Sequence, residues 1–188
     1  MAEEKDPATR LKTIIDRNIK AIQRRPSIGQ GTATTRCRIE SGVTCHIEDG
    51  PWKLIADESP GDGGAGLGPD AGVFGRAALG ACLAMGYAMW AAKMEIPIDN
   101  VEVVVEADYD ARGMFGVDDT VSPGWTAIRY TAHISSPADP KRVEELFDYA
   151  NRHSPLLDDM RRALSVTGEL KIAQSVKPAG RGPSPDGE

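Results

Sequence analysis

Residues 78–94 read ALGACLAMGYAMWAAKM and carry no charge before Lys93. They belong to an apolar run over residues 73–92 that is crowded with alanine and glycine and is interrupted by Arg76. The run approaches the ~20 residues of a membrane span, but an internal arginine and many small residues give it little transfer free energy. We therefore predict a helix over roughly residues 72–94, apolar on all sides and buried at the centre of a folded domain.

The composition limits the function classes that the chain can serve. Its 188 residues include 22 Lys and Arg against 28 Asp and Glu, for a net charge of −6. No basic stripe with interleaved aromatic residues is visible, which argues against nucleic acid as a partner. The first ten residues, MAEEKDPATR, lack the apolar stretch of a secretory signal. We expect a cytoplasmic protein whose three cysteines are reduced, with no membrane partner.

Upstream of the central helix, the sequence predicts one helix and one β-hairpin. Residues 6–25 repeat apolar side chains on one face, with Asp6 as the N-cap and Pro26 as the stop. Residues 32–49, TATTRCRIESGVTCHIED, alternate apolar and polar residues on both sides of a Glu-Ser-Gly turn. Such alternation is typical of two antiparallel strands.

The length of the hairpin loop decides the strand register. A three-residue loop over residues 40–42 would place Cys37 opposite Cys45 and gather the apolar residues of both strands on one face. A two-residue loop would place Ile39 opposite Thr44 and mix the faces. We expect the first arrangement, with both cysteines turned toward the core.

The rest of the chain predicts an α+β fold. Further strands are expected over residues 52–57, 101–110, 125–135 and 166–174, and further helices are expected to begin at Asp139-Pro140 and Ser154-Pro155. Residues 58–72 are too rich in glycine and proline for regular structure. We divide the chain into an N-terminal helical extension and linker (1–30), one domain (31–172) and a weakly ordered tail (173–188).

Two segments resemble the family of osmotically induced protein C and the organic hydroperoxide resistance proteins. GPDAGVFGRAALGACLAMGYAM, residues 68–89, is similar to the family's central helix, and ANRHSPLLDDMRRAL, residues 150–164, is similar to the segment that holds its second cysteine. The resemblance covers roughly residues 31–172. It implies an intertwined homodimer in which a long central helix is wrapped by antiparallel β-sheet from both chains, with a thiol site at the subunit interface.

The resemblance also assigns candidate site residues. Cys82 falls on the position of the cysteine that attacks the peroxide, and Ser154 falls on the position of the resolving cysteine. The family's activating arginine follows the first strand, where Arg38 is nearest and Arg36 lies behind it. Disulfide resolution between the two family positions is therefore excluded, and an external thiol reductant would be required.

The acidic partner of the family's site is missing at its usual place. Val73 stands where the family carries a glutamate, and Asp70 is a displaced acid. Cys82 itself has two interpretations, a small residue filling a tightly packed helix or a reactive thiol that needs a nearby cation. Arg76 is six residues away and should not face it. Ser154 also has two interpretations, because serine before proline is a favoured helix N-cap.

Two functional hypotheses remain from the sequence. The first is a thiol-dependent reductase of organic hydroperoxides that works through Cys82 alone. The second is a non-catalytic homodimer that binds a small hydrophobic ligand or a partner. We expect no cofactor and no metal, because no cysteine pair has the spacing of a zinc motif and His46 has no histidine near it in sequence.

Overall fold

The computed structural model describes residues 6–172, which form five α-helices and two antiparallel sheets. The helices are α1 (Pro7–Arg24), α2 (Ala71–Met94), α3 (Ala111–Met114), α4 (Pro140–Arg152) and α5 (Pro155–Arg161). The strands are β1 (Arg36–Ser41), β2 (Thr44–Asp49), β3 (Trp52–Ala56), β4 (Asn100–Tyr109) and β5 (Trp125–Ser135). Short 3-10 turns cover Pro26–Gly29 and Pro60–Asp62. The predicted α+β class is confirmed.

The predicted N-terminal helix is confirmed as α1, which packs against α2. The Asp6 carboxylate accepts a hydrogen bond from the backbone N–H of Thr9 at 3.2 Å, as expected of an N-cap. Ile15 is the buried residue of α1. Asp16 pairs with Lys93 near the C-terminal end of α2, so α1 is held there by apolar and charged contacts together.

The first sheet, β1-β2-β3, corrects the predicted hairpin register. Cys37 lies opposite Ile47, and Ile39 lies opposite Cys45, so the predicted pairing of Cys37 with Cys45 is wrong. The loop has two residues, Gly42 and Val43, because Ser41 pairs directly with Thr44.

An irregularity at Glu40 explains the difference. The register shifts between Ile39 and Ser41, which adds one residue to β1. This bulge lets a two-residue turn coexist with apolar residues on one face. Gly42 has a φ of 55°, the left-handed conformation that glycine adopts at low cost.

Helix α2 and the second sheet form the core, and both long strands confirm the sequence prediction. The antiparallel pair β4-β5 packs Val103, Val105 and other apolar side chains against one face of α2. Leu79 and Leu83 on that face are almost completely buried. Helix α2 ends at Met94, and its C-cap residue Glu95 has a φ of 55°, in the left-handed region.

The single chain does not bury α2 on all sides. Its opposite face carries a stripe of small and apolar residues that are exposed, Val73, Ala77, Ala81, Met85 and Met89. In the described part of the chain, α2 is also the one helix with the length and apolarity of a membrane span. Its contacts with β4, α1, α4 and α5 are those of the central helix of a folded domain.

The predicted closing strand is also wrong over the residues described. Helix α5 ends at Arg161, and residues 166–172 form no strand. Their alternating pattern suits a strand, but no neighbouring strand pairs with them within residues 6–172, and Val166 and Leu170 are 90% and 83% exposed. The end of that predicted strand and the predicted tail lie outside the described residues.

A buried carboxylate organises the glycine-rich connection into α2. Asp57 accepts hydrogen bonds from the backbone N–H groups of Glu58, Ala65 and Leu67 and from the Thr44 hydroxyl, at 2.9–3.2 Å. The bond from Leu67, with the other three, lowers the pKa of this carboxyl below its ordinary value. One side chain therefore joins β2, the end of β3 and the loop that leads to α2.

We predict that Asp57→Asn lowers the melting temperature, because the amide nitrogen would present a donor to the backbone N–H donors around it. The exposed Asp119→Asn is the matched control and should melt like the wild type. Because the folded-state pKa of Asp57 is lowered, its contribution to stability is present above about pH 4 and is lost as the pH falls further. Thermal melts of the three proteins between pH 3 and 7 test this, and equal melting of Asp57→Asn and wild type at neutral pH would contradict it.

Candidate functional site

The structure brings Cys82 and Ser154 together although 72 residues separate them. The Cys82 sulfur lies 3.5 Å from the Ser154 hydroxyl oxygen, within hydrogen-bonding distance for sulfur. Helix α5 packs on α2, and Leu157 of α5 joins Leu79 and Leu83 in one buried cluster. That packing places the start of α5 over the middle of α2. Ser154 is 5% exposed, whereas Cys82 is half-buried, so the hydroxyl is screened from water and the thiol is partly accessible.

Ser154 does not use its side chain as a helix cap. It is the N-cap residue of α5 and Pro155 follows it, as predicted, but its hydroxyl makes no capping hydrogen bond. Its backbone carbonyl accepts from the N–H of Asp158 at 3.0 Å. The hydroxyl is directed to Cys82 instead, so the cap prediction is right for the backbone and wrong for the side chain.

Arg38 makes no contact with the thiol of Cys82 through a hydrogen bond within residues 6–172 and pairs with a carboxylate instead. It lies on β1 opposite His46, and its guanidinium pairs with Glu48 at 3.3 Å. Its side chain is 64% exposed and makes no hydrogen bond with the thiol within residues 6–172. Arg36, the second candidate, is exposed on the same strand.

The two groups at the start of α2 have structural roles. The Asp70 carboxylate accepts from the backbone N–H of Val73 at 2.8 Å, which makes it the N-cap of the helix. The guanidinium of Arg76 reaches back toward Gly72, since a Cβ placed there would lie 3.3 Å from its Nη1. It therefore extends toward the helix start, away from Cys82 at the middle of the helix.

A tyrosine that sequence reasoning missed fixes the turn before Ser154. The Tyr87 hydroxyl donates to the Asn151 side-chain oxygen at 2.8 Å. Burial raises the pKa of the Tyr87 phenol well above its ordinary value, and the neighbouring Tyr130 adds to that effect. Tyr87 is thus a neutral donor that ties α2 to the last turn of α4, just before Ser154. The available signal was a phenol within an otherwise apolar helix, because a buried tyrosine usually has a polar partner.

A pocket of about 320 Å³ lies beside the residues that flank this pair. Its walls include six residues from α2, β5 and α5: Leu79, Trp125, Ile128, Tyr130, Leu157 and Arg161. Leu79 is one turn before Cys82 on α2, and Leu157 is one turn after Ser154 on α5. The Trp125 ring lies against Gly75, where a Cβ would come within 2.6 Å of it, so a glycine is needed there.

The other cysteines and histidines form no second site in the described residues. Cys37 and Cys45 are free thiols on the first sheet. His46 lies 3.6 Å from Glu40, and His153 bonds through Nδ1 to the Tyr149 carbonyl rather than to Ser154. Between residues 6 and 172, no three His, Cys, Asp or Glu side chains are grouped to hold a metal ion.

Comparisons with solved structures identify the fold. An OsmC-like protein from Mycoplasma pneumoniae superposes with a TM-score of 0.60 at 14% identity, covering 70% of this chain and 89% of that one. An organic hydroperoxide resistance protein OsmC from Legionella pneumophila gives a TM-score of 0.53 at 21% identity, covering 70% and 92%. A hypothetical protein from Aquifex aeolicus gives 0.55 at 10% identity, covering 70% and 89%.

Comparison of the sequence with family models reaches the same result independently. No curated protein sequence matches this chain. The model of the family described as OsmC-like protein matches residues 62–169, more than half of the chain, and this span contains α2, the β4-β5 sheet and α5. The chain therefore belongs to the OsmC-like family, which is related to the organic hydroperoxide resistance proteins.

Proposed function

We propose that this protein reduces organic hydroperoxides through the single thiol of Cys82 and is reset by an external thiol. The observation that carries the proposal is the 3.5 Å contact between the Cys82 sulfur and the Ser154 hydroxyl, which the resemblance assigns to the family's two cysteine positions. Leu79, Trp125 and Leu157 line a pocket close to this pair. A pocket of this kind suits the organic part of a hydroperoxide. The name of the Legionella relative supports the same reaction class.

The proposed reaction needs one cysteine and two equivalents of reductant. The Cys82 thiol releases its proton, and the thiolate attacks the terminal peroxide oxygen. The O–O bond breaks, the sulfur keeps the OH group as a sulfenic acid, and the alkoxide takes up the released proton and leaves as the alcohol. A first external thiol displaces water and forms a mixed disulfide. A second external thiol then releases Cys82 in its reduced form and leaves as the disulfide of the reductant.

Ser154 positions the sulfur in this scheme without taking part in electron transfer. Its hydroxyl can donate a hydrogen bond to the thiolate or to the sulfenic oxygen, and it cannot form a disulfide. Burial of the hydroxyl keeps this bond from competing with water. The sulfenic acid therefore waits for an external thiol rather than for a second cysteine of the same site.

We also propose that the working form is a homodimer in a reducing, cytoplasmic environment. The stripe on α2 from Val73 to Met89 is exposed in the single chain, and so is much of the apolar face of the first sheet, including Ile39 and Leu54. Covering both surfaces with a second copy would remove them from water. A cation in direct contact with the Cys82 sulfur would then come from the partner, because no charged side chain hydrogen-bonds to this sulfur within residues 6–172.

The alternative function is ligand binding without catalysis, and one observation favours it. The group in contact with the Cys82 sulfur is a neutral hydroxyl, whereas Arg38 is paired with Glu48. A reactive thiol usually has a cation or helix dipole beside it. If no partner cation reaches the site, the pocket remains as a binding site alone.

The first test measures consumption of cumene hydroperoxide with dithiothreitol as the reductant. We predict turnover by the wild type, loss of at least about a hundredfold in Cys82→Ser, because the nucleophile is gone, and unchanged turnover in the control Cys37→Ser. Equal rates in wild type and Cys82→Ser would reject the catalytic proposal and leave ligand binding.

The second test introduces the missing cysteine. Ser154→Cys should form a disulfide with Cys82 on mild oxidation, because the two side-chain heteroatoms already lie 3.5 Å apart. Peptide mapping by mass spectrometry identifies the bridge, and Ser154→Cys combined with Cys82→Ser is the control that should show none. A folded variant whose two thiols stay unbridged would show that Ser154 does not occupy the resolving position.

The third test addresses the dimer. We predict that Met85→Glu weakens self-association, because it places a charge in the proposed interface, which should bury more than ~2,000 Å² in total. Met114→Glu is the control, since Met85 and Met114 are similarly exposed, 64% and 63%, and Met114 is outside α2. Sedimentation should show a dimer for the wild type and the control. A Met85→Glu variant that is folded and dimeric at the same concentration would contradict the proposal.

A further inference from the structure

The pocket near the thiol pair is lined by one positively charged side chain, Arg161, which has no carboxylate partner in the described chain. Arg161 lines the pocket and makes no hydrogen bond or ion pair within residues 6–172. Its neighbour Arg162, by contrast, pairs with Asp158 and Asp159. The last residue of α5, Arg161, and its C-cap, Arg162, therefore differ. Arg162 is neutralised by carboxylates, whereas Arg161 lines a pocket.

The position of Arg161 follows from the helical repeat of α5. Ser154, Leu157 and Arg161 are spaced by three and four residues, so they lie on one face of the chain. Leu157 is buried against α2, which directs this face toward the pocket and the thiol. The positive charge of Arg161 also acts on the buried phenol of Tyr87, where it opposes the rise in pKa caused by burial.

Most of the other side chains that line the pocket are apolar, and the Thr126 and Tyr130 hydroxyl groups add polar surface to it. Leu79 and Leu157 form its buried base, and Trp125 and Ile128 flank it from β5. A ligand with an apolar body and one anionic group would satisfy both parts of this surface. The second large cavity, about 420 Å³ between β5 and α4, would repel such a ligand because its charged residues are Glu144 and Asp148.

We propose that Arg161 is the anion-binding residue of this pocket and that it selects apolar molecules bearing a carboxylate. The guanidinium binds the carboxylate with charge-assisted hydrogen bonds, and the apolar body lies between Trp125, Leu79 and Leu157. Seven residues of helix separate Arg161 from Ser154, about 10 Å along the axis. The end of the ligand remote from its carboxylate therefore lies toward Cys82. The relevance of this orientation rests on the proposed function, whereas binding of the carboxylate by Arg161 does not.

The experiment compares 4-phenylbutyrate with its neutral counterpart 4-phenylbutanol by isothermal titration calorimetry on the full chain. The wild type should bind the carboxylate about tenfold or more tightly than the alcohol. Arg161→Gln should remove this preference and leave the affinity for the alcohol unchanged. Arg162→Gln is the matched control and should keep the wild-type preference, and circular dichroism verifies that each variant is folded.

A second variant locates the ligand. Ile128→Trp fills the pocket and should weaken binding of both probes at least about fivefold. The inference is overturned if the wild type binds both probes equally, if Arg161→Gln retains the preference for the carboxylate, or if Ile128→Trp binds both probes as the wild type does. Repeating the titration with Cys82→Ser separates the two proposals, since a preference that persists without the thiol supports the pocket assignment whatever the outcome for catalysis.

Discussion

The packing of α5 across α2 is the contact on which the site depends. The buried cluster of Leu79, Leu83 and Leu157 holds the two helices together, and the start of α5 then lies over the middle of α2. The Cys82 sulfur and the Ser154 hydroxyl meet as a consequence of that crossing. The hydrogen bond from Tyr87 to Asn151 joins α2 to the end of α4, just before Ser154. Two contacts with α2, one before Ser154 and one after it, therefore fix its position.

The exposed surfaces of the single chain have a common physical cause. Helix α2 is covered by the β4-β5 sheet and by α1, α4 and α5, while its stripe from Val73 to Met89 and the first sheet remain in contact with water. The same holds for residues 166–172, whose alternating pattern has no strand to pair with in the described chain. An intertwined homodimer, as the resemblance implies and as we propose, would explain all three features with one partner surface.

The sequence predicted the elements well where the pattern was local. The bounds of α1, α2, β4 and β5 follow from capping residues and from periodicity, and the structure places them within one or two residues of the prediction. The register of β1 and β2 was predicted wrongly, because the bulge at Glu40 has no signature in the alternation of side chains. The cap interpretation of Ser154 failed for a different reason, since the competing contact with Cys82 arises only from tertiary packing.

The sequence identified some residues of the candidate site and not others. Cys82 and Ser154 could be named from a family resemblance, whereas Tyr87 and the pocket around Arg161 depend on how β5 and α5 meet and could not be read from spacing. Arg38 shows the limit of transfer by position, because its own strand supplies Glu48 as a partner.

Whether Cys82 is the thiol that reacts with the hydroperoxide is tested by locating the oxidised cysteine after one equivalent of cumene hydroperoxide. Dimedone traps the sulfenic acid, and mass spectrometry identifies the residue that carries it. We expect the dimedone adduct of a sulfenic acid on Cys82 before any adduct forms on the more exposed Cys37. Oxidation that follows exposure, with Cys37 modified and Cys82 unchanged, would contradict it.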